Sequence, residues 1–284
     1  MIPMLVNAAR ITFFTLSLGL AACQSPLPSS PSSPTATAGN SAIKLSSGQK
    51  QKIARKIWQN ESGGTVAGLT AWNAGEEFPS FGIGHFIWYP AGFDGRWEES
   101  FPQFIDFARR SGRKDIPTWL LSTRDCPWNS RAAFLADLNG PKLSGMRQFL
   151  ANSTELQADY IITRSRAALP TILRAARPAD RERISRNYQK VASTPHGTYA
   201  LIDYVNFKGT GTKSTEQYRG EGWGLLQVLS GMQDVPSGQA AAREFANSAK
   251  RALSRRIANS PPARGEKRWE AGWHNRCETY ARPL

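Results

Sequence analysis

The sequence predicts a mainly α protein of the α+β class, with a small β-hairpin lobe near its start and a larger helical lobe after it. Three observations support this prediction. Residues 46–60 begin with Ser-Ser-Gly and place apolar residues on one helical face. Residues 64–89 are rich in Gly, Thr and aromatic residues, which is typical of short, irregular strands. From residue 98 onward, the apolar spacing is helical for most of the chain.

The first helix is expected to end near Asn60, with Ile53 and Ile57 on its buried face. A proline, Pro170, falls inside a later helical pattern, and its missing N–H predicts a kink or an end at that point. The later helices are predicted at about 98–110, 130–138, 153–176, 179–193, 197–208, 223–232 and 238–258.

The N-terminal residues have the pattern of an export signal. Arg10 precedes an apolar run over residues 11–20, which is too short to span a bilayer as a helix of about 20 apolar residues. The run leads into a Leu-Ala-Ala-Cys sequence ending at Cys23, which resembles a bacterial lipobox. The resemblance implies removal of a signal peptide, residues 1–22, and lipidation of Cys23. A secretory signal without a lipid is the alternative.

A tether and one folded domain are expected after the signal. Residues 24–42 are mostly Ser, Pro, Thr, Ala and Gly without charge, a composition that cannot bury enough apolar surface to fold. The organisation is therefore a lipidated Cys with a disordered tether at 23–45 and one domain at 46–284. Gln24, rather than an acidic residue, follows the lipobox, and this implies anchoring to the outer membrane, facing the periplasm.

Charge is unevenly distributed along the chain, whose formal net charge is +14. Residues 51–107 carry four Lys/Arg and seven Asp/Glu, whereas residues 108–284 carry 29 and 15. A basic body beside an acidic segment suits an anionic polymer that is gripped by one region and processed at another. A pI of 10.1 would also fit a nucleic-acid-binding protein, but the lipobox argues against that interpretation. A basic surface that is simply solvated and binds no polymer is the remaining alternative.

The remaining cysteines, Cys126 and Cys277, are expected in an oxidising compartment. One disulfide between them is the favoured interpretation, and two free buried thiols are the alternative.

The most informative segment joins Glu61, at the end of the first helix, to a Gly-rich stretch that closes on Gly82-Ile83-Gly84-His85. Glycosidic cleavage needs an acid whose pKa is raised by partial burial, and apolar residues around Glu61 are expected to supply that environment. By residue type alone, a Glu at a helix end is more often a solvated or capping residue.

This arrangement resembles the lysozyme-like superfamily, in particular the phage-type (T4-like) lysozymes. Glu61 matches the family's catalytic Glu, Ser80 stands at its Thr position, and residues 82–85 match its Gly-x-Gly-His motif. The run 200–209 looks like the family's central helix, and 264–280 like its C-terminal aromatic segment. The resemblance implies a lysozyme-like catalytic domain at 46–284 that cleaves the MurNAc–GlcNAc bond of peptidoglycan glycan strands.

The second catalytic carboxylate is where the chain departs from the family. Ala74 stands six residues before Ser80, where the phage enzymes have an Asp or Cys, so Glu77, or else its neighbour Glu76, is the expected replacement. Without a second carboxylate, Glu61 would act alone, as in goose-type lysozymes and lytic transglycosylases. A rival acid is Glu216, which precedes a Gly-Leu-Leu-Gln run similar to one in those families.

Several side chains are candidates for sugar contacts, because aromatic faces stack on pyranose rings and amides bind hydroxyl and N-acetyl groups. Each has a core or capping alternative, and His85 is also expected to hold the hairpin through its ring. The predicted substrate-binding residues are Trp72, Asn73, His85, Tyr89 and Asn206, with Trp88 and Asp203 as further candidates.

No cofactor is expected, and a metal site is not predicted because the three histidines are far apart in the sequence. The expected partners are peptidoglycan glycan strands and, through the lipid anchor, a membrane, but not nucleic acid. Two other functions stay open: a non-catalytic peptidoglycan-binding lipoprotein scaffold, and a chitosan or chitin hydrolase of related fold.

Overall fold

Helices make up most of the chain in the computed structural model, which describes residues 45–95 and 97–284. The described residues are therefore mainly α, with two small antiparallel sheets. The helices are α1 Ser47–Ser62, α2 Phe101–Arg110, α3 Thr118–Ser122, α4 Arg131–Ala136, α5 Pro141–Ala151, α6 Thr154–Ala175, α7 Arg181–Ala192, α8 Pro195–Lys208, α9 Leu225–Ser230, α10 Gln239–Asn259 and α11 Glu270–Glu278. Short 3-10 turns lie at Ala67–Leu69, Pro178–Asp180, Ser214–Glu216, Pro262–Arg264, Glu266–Trp269 and Thr279–Ala281.

Helix α1 begins and ends where its sequence supplies caps. The Ser46 hydroxyl accepts a hydrogen bond from the Gln49 amide, while the Gln49 side chain accepts one from the Ser46 amide. The helix ends at Gly63, whose φ of +63° is readily adopted by glycine. These caps place Glu61 in the last turn of the helix, beside the start of the sheet.

The first sheet has three strands: β1 Thr70–Ala71, β2 Ser80–Phe81 and β3 Phe86–Ile87. They pair antiparallel in the order β1-β2-β3, and the turn between β2 and β3 is the Gly-Ile-Gly-His segment. A second sheet pairs β4 Gln217–Tyr218 with β5 Glu221–Gly222. The expectation of one hairpin is therefore too simple, because strands of two residues leave little period-2 pattern in the sequence.

Helix α8 lies at the centre of the helical region. Nine of its residues, from His196 to Tyr204, are buried, and α8 packs against α6, α7, α9 and α10. Its N-terminus is capped by the Thr194 hydroxyl, which accepts from the Gly197 amide at 3.1 Å. The burial of α8 on nearly all sides fixes the position of its last turn.

The predicted helices agree with the structure in existence and approximate bounds. Helices α3, α5 and α11 were missed because they are short or lack a strong apolar stripe. Pro170 lies inside α6, so the expectation that it could end the helix is wrong. Buried Ala168 and Ile172 lie on either side of Pro170, so packing holds the helix together across it.

The described residues all belong to one compact unit. Within this part of the chain, no helix is long and apolar enough to cross a membrane. The predicted signal peptide, the lipidation site Cys23 and nearly all of the tether lie outside the described residues.

Candidate active site

The carboxylate of Glu61 is held by partners that are distant in the sequence. Its Oε1 accepts a hydrogen bond from Nη2 of Arg276 at 2.6 Å and one from Nδ2 of Asn206 at 3.2 Å. Its Oε2 lies 3.9 Å from Nδ1 of His85. The Glu61 side chain is 14% exposed, so the carboxylate is partly shielded but remains accessible.

Asn206 connects the three elements that meet at this point. It lies in the last turn of α8, and its Nδ2 donates both to Glu61 and to the carbonyl oxygen of Gly84, at 3.3 Å. One amide thus joins the end of α1, the turn before β3 and the end of α8. The two sequence motifs and the central helix therefore converge on one carboxylate.

Arg276, from α11, is shared between two carboxylates. Its Nε and Nη2 each donate to Asp203 at 2.8 Å, and Nη2 also donates to Glu61. Asp203 is fully buried and accepts a further hydrogen bond from the Tyr280 hydroxyl at 2.7 Å. This geometry assigns Asp203 to positioning Arg276, because no face of its carboxylate is exposed.

The charges around Glu61 decide its protonation. Burial raises the pKa of Glu61, but Arg276, then His85 and Lys208, lower it by more, so the net pKa lies below its ordinary value of 4.5. The expected rise from an apolar environment is therefore wrong for this structure. Glu61 is a carboxylate at neutral pH here, and it would need a change in its surroundings to carry a proton.

The Gly-Ile-Gly-His turn is fixed by a buried side chain of α6. Gln157 accepts from the Ile83 amide at 2.8 Å and donates to the Leu150 carbonyl at 2.7 Å. Gly82 has a φ of +74°, and a Cβ there would lie 2.3 Å from Oε1 of Gln157. The turn therefore needs glycine at 82 for both its backbone conformation and this close approach.

His85 follows in the left-handed region, at φ +48°. Its ring faces Glu61 through Nδ1, while its Nε2 is buried without a hydrogen-bond partner among the described residues. The expectation that the ring holds the hairpin by hydrogen bonds is not met. The hairpin is held instead by backbone pairing and by Gln157.

The predicted second carboxylate, Glu77, is exposed and has no hydrogen bond or ion pair with a described residue. Its neighbour Glu76 accepts from Nδ2 of Asn73 at 3.1 Å. Loss of solvent raises the pKa of Glu76, while Asn73 and the nearby His85 lower it in part. Glu76 and Glu77 are both exposed, and of the two only Glu76 has a described hydrogen-bond partner, Asn73.

Ser80 lies in β2, where its hydroxyl is buried and has no hydrogen-bond partner among residues 45–95 and 97–284. Asn73 is exposed and its amide is bonded to Glu76. Neither side chain makes a described hydrogen bond to Glu61.

Two predicted sugar contacts belong to the protein interior, which corrects those expectations. Trp72 is buried, donates its indole N–H to the Glu76 carbonyl and packs edge-on against Phe134. Tyr89 is also buried, and its hydroxyl donates to the Trp97 carbonyl at 2.9 Å. The same holds for Trp88, which is 1% exposed. Buried rings cannot stack on a sugar, so these residues stabilise the lobe.

The predicted disulfide is also corrected, because Cys126 and Cys277 are free, buried thiols. Burial raises the pKa of each thiol to about 12. Cys126 donates a weak hydrogen bond to the Trp128 carbonyl, and Cys277 lies in the hydrophobic core. Both thiols behave as small apolar residues.

The rival acid Glu216 has a structural role. Its Oε2 accepts from the amides of Gly211, Thr212 and Lys213, which closes the loop after α8. Burial raises its pKa, and these backbone hydrogen bonds lower it in part. A carboxylate oxygen that satisfies three backbone amides is committed to the loop.

Sequence reasoning missed Arg276 and Gln157. A signal existed for the first, because Asp203 interrupts an apolar helix and a fully buried carboxylate needs a counterion. The sequence offers 36 Lys and Arg residues, and nothing in their spacing selects Arg276. No signal marked Gln157, whose role depends on how α6 packs under the turn.

Among the described residues, no group of three or more His, Cys, Asp or Glu side chains is placed to hold a metal ion. Comparison of the chain with models of known protein families finds no match, and neither does comparison with curated proteins or with solved structures.

Proposed function

We propose that this chain is a peptidoglycan-cleaving glycosidase of lysozyme-like fold, with Glu61 as general acid at the MurNAc–GlcNAc bond. One observation supports this most strongly. Glu61, the Gly-Ile-Gly-His turn and Asn206 match the resemblance at three distant points of the chain, and the hydrogen bonds of Asn206 join all three. A buried structural ion pair would not require the glycine turn beside it.

In the proposed reaction, Glu61 donates a proton to the departing glycosidic oxygen as the bond to the muramyl C1 breaks. Glu61 must first take up a proton, although its surroundings now favour the carboxylate. A glycan that covers Glu61 would exclude water and penalise the charge further. Arg276 keeps its two hydrogen bonds to Asp203 when Glu61 becomes neutral, so protonation leaves no unpaired cation.

We further propose that Glu61 acts alone, as acid and then as base. The nearby Asp203 is fully buried, and Glu76 is hydrogen-bonded to Asn73 and makes no described contact with Glu61. In this form of the mechanism, the muramyl 6-hydroxyl gives its proton to Glu61 and attacks C1, leaving a 1,6-anhydro end. If water attacked instead, Glu76 would be the carboxylate to activate it.

The test is incubation of the full chain with purified sacculi and identification of released products by mass spectrometry. Anhydromuropeptides are the expected products. Reducing-end muropeptides would contradict the lone-acid mechanism. The next experiment would then compare the activity of Glu76→Gln with that of its matched control, Glu77→Gln. Absence of any release by folded protein would contradict the proposed glycosidase.

A second candidate is a peptidoglycan-binding scaffold that uses the same residues around Glu61. The ionised state of Glu61 favours it, because a paired carboxylate suits a structural role. A scaffold would sediment with sacculi and release nothing. Chitosan is a less suitable polymer, since a polycation would be repelled by a chain of net charge +14.

The lipobox resemblance supports the location that goes with this function. We propose that lipidated Cys23 anchors the chain to the outer membrane and that the tether lets the domain reach the periplasmic glycan strands.

A further inference from the structure

Lys208, the last residue of α8, is a cation without a counterion next to Glu61. Its Nζ lies 3.5 Å from the centroid of the Trp273 ring and 3.9 Å from that of Phe207. All three side chains are partly exposed. Lys208 forms no ion pair or hydrogen bond with another described residue, so the two aromatic faces are the partners described for its ammonium.

The nearest carboxylates already have partners. Glu266 is buried and accepts two hydrogen bonds from Arg256 at 2.8 Å, one from Arg264 and one from the Tyr218 hydroxyl. Its capacity for a further cation is therefore filled, and Lys208 does not reach it within ion-pair distance.

Glu61 and Asp203 are both occupied by Arg276. With Lys208 protonated, the cluster as a whole carries one surplus positive charge, because four cations face three carboxylates. The cations are Lys208, Arg256, Arg264 and Arg276, and the carboxylates are Glu61, Asp203 and Glu266.

An unpaired ammonium in this position is destabilised. Burial, followed by repulsion from Arg256 and Arg276, holds the pKa of Lys208 well below its ordinary value. The two rings offset part of this cost by cation–π contact. A carboxylate that contacts this ammonium would supply the missing counterion, whereas a neutral group would not.

We propose that Lys208, held between Trp273 and Phe207, is a carboxylate-binding subsite next to Glu61 that selects anionic over neutral glycan strands. This inference rests on the proposed function, and it names the substrate feature that the site distinguishes. The carboxylate has two chemical sources in peptidoglycan. It belongs either to the lactyl group of a muramyl residue without peptide, or to a stem peptide attached to that group.

Occupation of the subsite also affects the acid. Arg276, His85 and Lys208 are the groups whose positive charge lowers the pKa of Glu61. A substrate carboxylate on Lys208 neutralises one of them and so favours the protonated form of Glu61. Anionic strands are thus expected to gain in turnover as well as in affinity.

The test compares the full chain with Lys208→Met, which keeps a flexible side chain against the rings but removes the charge. Lys114→Met is the matched control, because Lys114 is an exposed lysine outside the cluster. Each protein is given sacculus glycan strands with stem peptides intact or removed. Half of each preparation has its carboxylates converted to methylamides.

The wild type and Lys114→Met are expected to prefer the free-carboxylate form by about tenfold in kcat/KM. Lys208→Met is expected to lose most of that preference. Preference confined to peptide-free strands identifies the lactyl carboxylate as the ligand, and preference confined to intact strands identifies the stem peptide. An unchanged ratio in active Lys208→Met would overturn the subsite.

Affinity for the same four preparations is measured by cosedimentation in a Glu61→Gln background, so that this readout does not depend on turnover. If the protein binds free-carboxylate strands preferentially but the wild type cleaves none of them, the proposed glycosidase activity is contradicted and the proposed subsite is supported. Equal affinity for both forms, with or without Lys208, would overturn the subsite even if cleavage occurs.

Discussion

At the scale of single residues, charge rather than apolar surroundings determines the state of Glu61. Sequence reasoning predicted the carboxylate itself and Asn206, because both lie in motifs that are contiguous in the chain. It did not predict Arg276, which comes from a helix 215 residues further on and reverses the expected direction of the pKa shift. Burial can be predicted from local apolar residues, but the identity of a distant counterion cannot.

The first prediction concerns Asp203, the fully buried partner of Arg276. The substitution Asp203→Asn leaves Glu61 as the one remaining carboxylate partner of Arg276 and weakens the hydrogen-bond network. We expect a loss of about 3 kcal/mol in the free energy of unfolding, measured by urea denaturation. The matched control, Asp106→Asn, removes an exposed carboxylate on α2 and should change stability little. Equal stability of the two variants would contradict the assigned role.

The second prediction is the pH dependence of the Glu61 contribution. Its pKa in the folded chain lies below the ordinary value of 4.5, so the ionised group stabilises the fold above that pH. The difference in unfolding free energy between wild type and Glu61→Gln should be constant near neutral pH. It should shrink as the pH falls below 4.5 and through the folded-state pKa. A difference that grows with acidification would show that the pKa is raised instead.

At the scale of elements, the helices were predictable and their contacts were not. Caps at Ser46 and Gly63 and a clear apolar stripe made α1 readable from the sequence. The Gly-Ile-Gly-His turn was readable as a motif, but its support from Gln157 depends on the packing of α6. Composition does not distinguish a core ring from an exposed one, so the sequence predicts sugar contacts for aromatic residues of the β region that the structure buries.

The third prediction tests the glycine turn. Gly82→Ala places a Cβ 2.3 Å from the Gln157 side chain at a φ of +74°, whereas Gly92→Ala meets nothing within 4 Å at a φ of +77°. The control should therefore lose only the backbone term, about 1 to 2 kcal/mol. Gly82→Ala should lose more of the free energy of unfolding than the control. It should also lose cleavage of sacculi, because the turn beside Glu61 shifts. Equal stability and equal activity would show that the turn adapts freely.

At the scale of the whole molecule, no disulfide links the middle of the described chain to its end, since Cys126 and Cys277 are free. The core holds the two regions together through helices that pack around α8, and the hydrogen bonds of Asn206, Arg276 and Gln157 join them further. The presence of two cysteines in an expected oxidising compartment suggested a bridge, but cysteine count does not report the distance between side chains.

The fourth prediction follows from those free thiols. A disulfide closing a loop of this size would be worth about 5 kcal/mol in the chain-entropy model, which corresponds to at least about 10 °C in Tm. Adding a reductant to the full chain should therefore leave Tm unchanged. The structure would be contradicted if reductant lowered the Tm of the wild type by several degrees and if Cys126→Ala and Cys277→Ala showed the same decrease in Tm without reductant.

The central claim is that Glu61 performs the chemistry, and the most direct measurement compares wild type with Glu61→Gln on purified sacculi. The Gln side chain keeps the shape of the site, and Arg276 retains Asp203, so the variant should fold. We predict that release of muropeptides falls by at least about 100-fold in a variant that still unfolds cooperatively in urea, with a midpoint lowered only by loss of the Glu61–Arg276 ion pair. A folded Glu61→Gln protein that releases muropeptides at the wild-type rate would contradict the account.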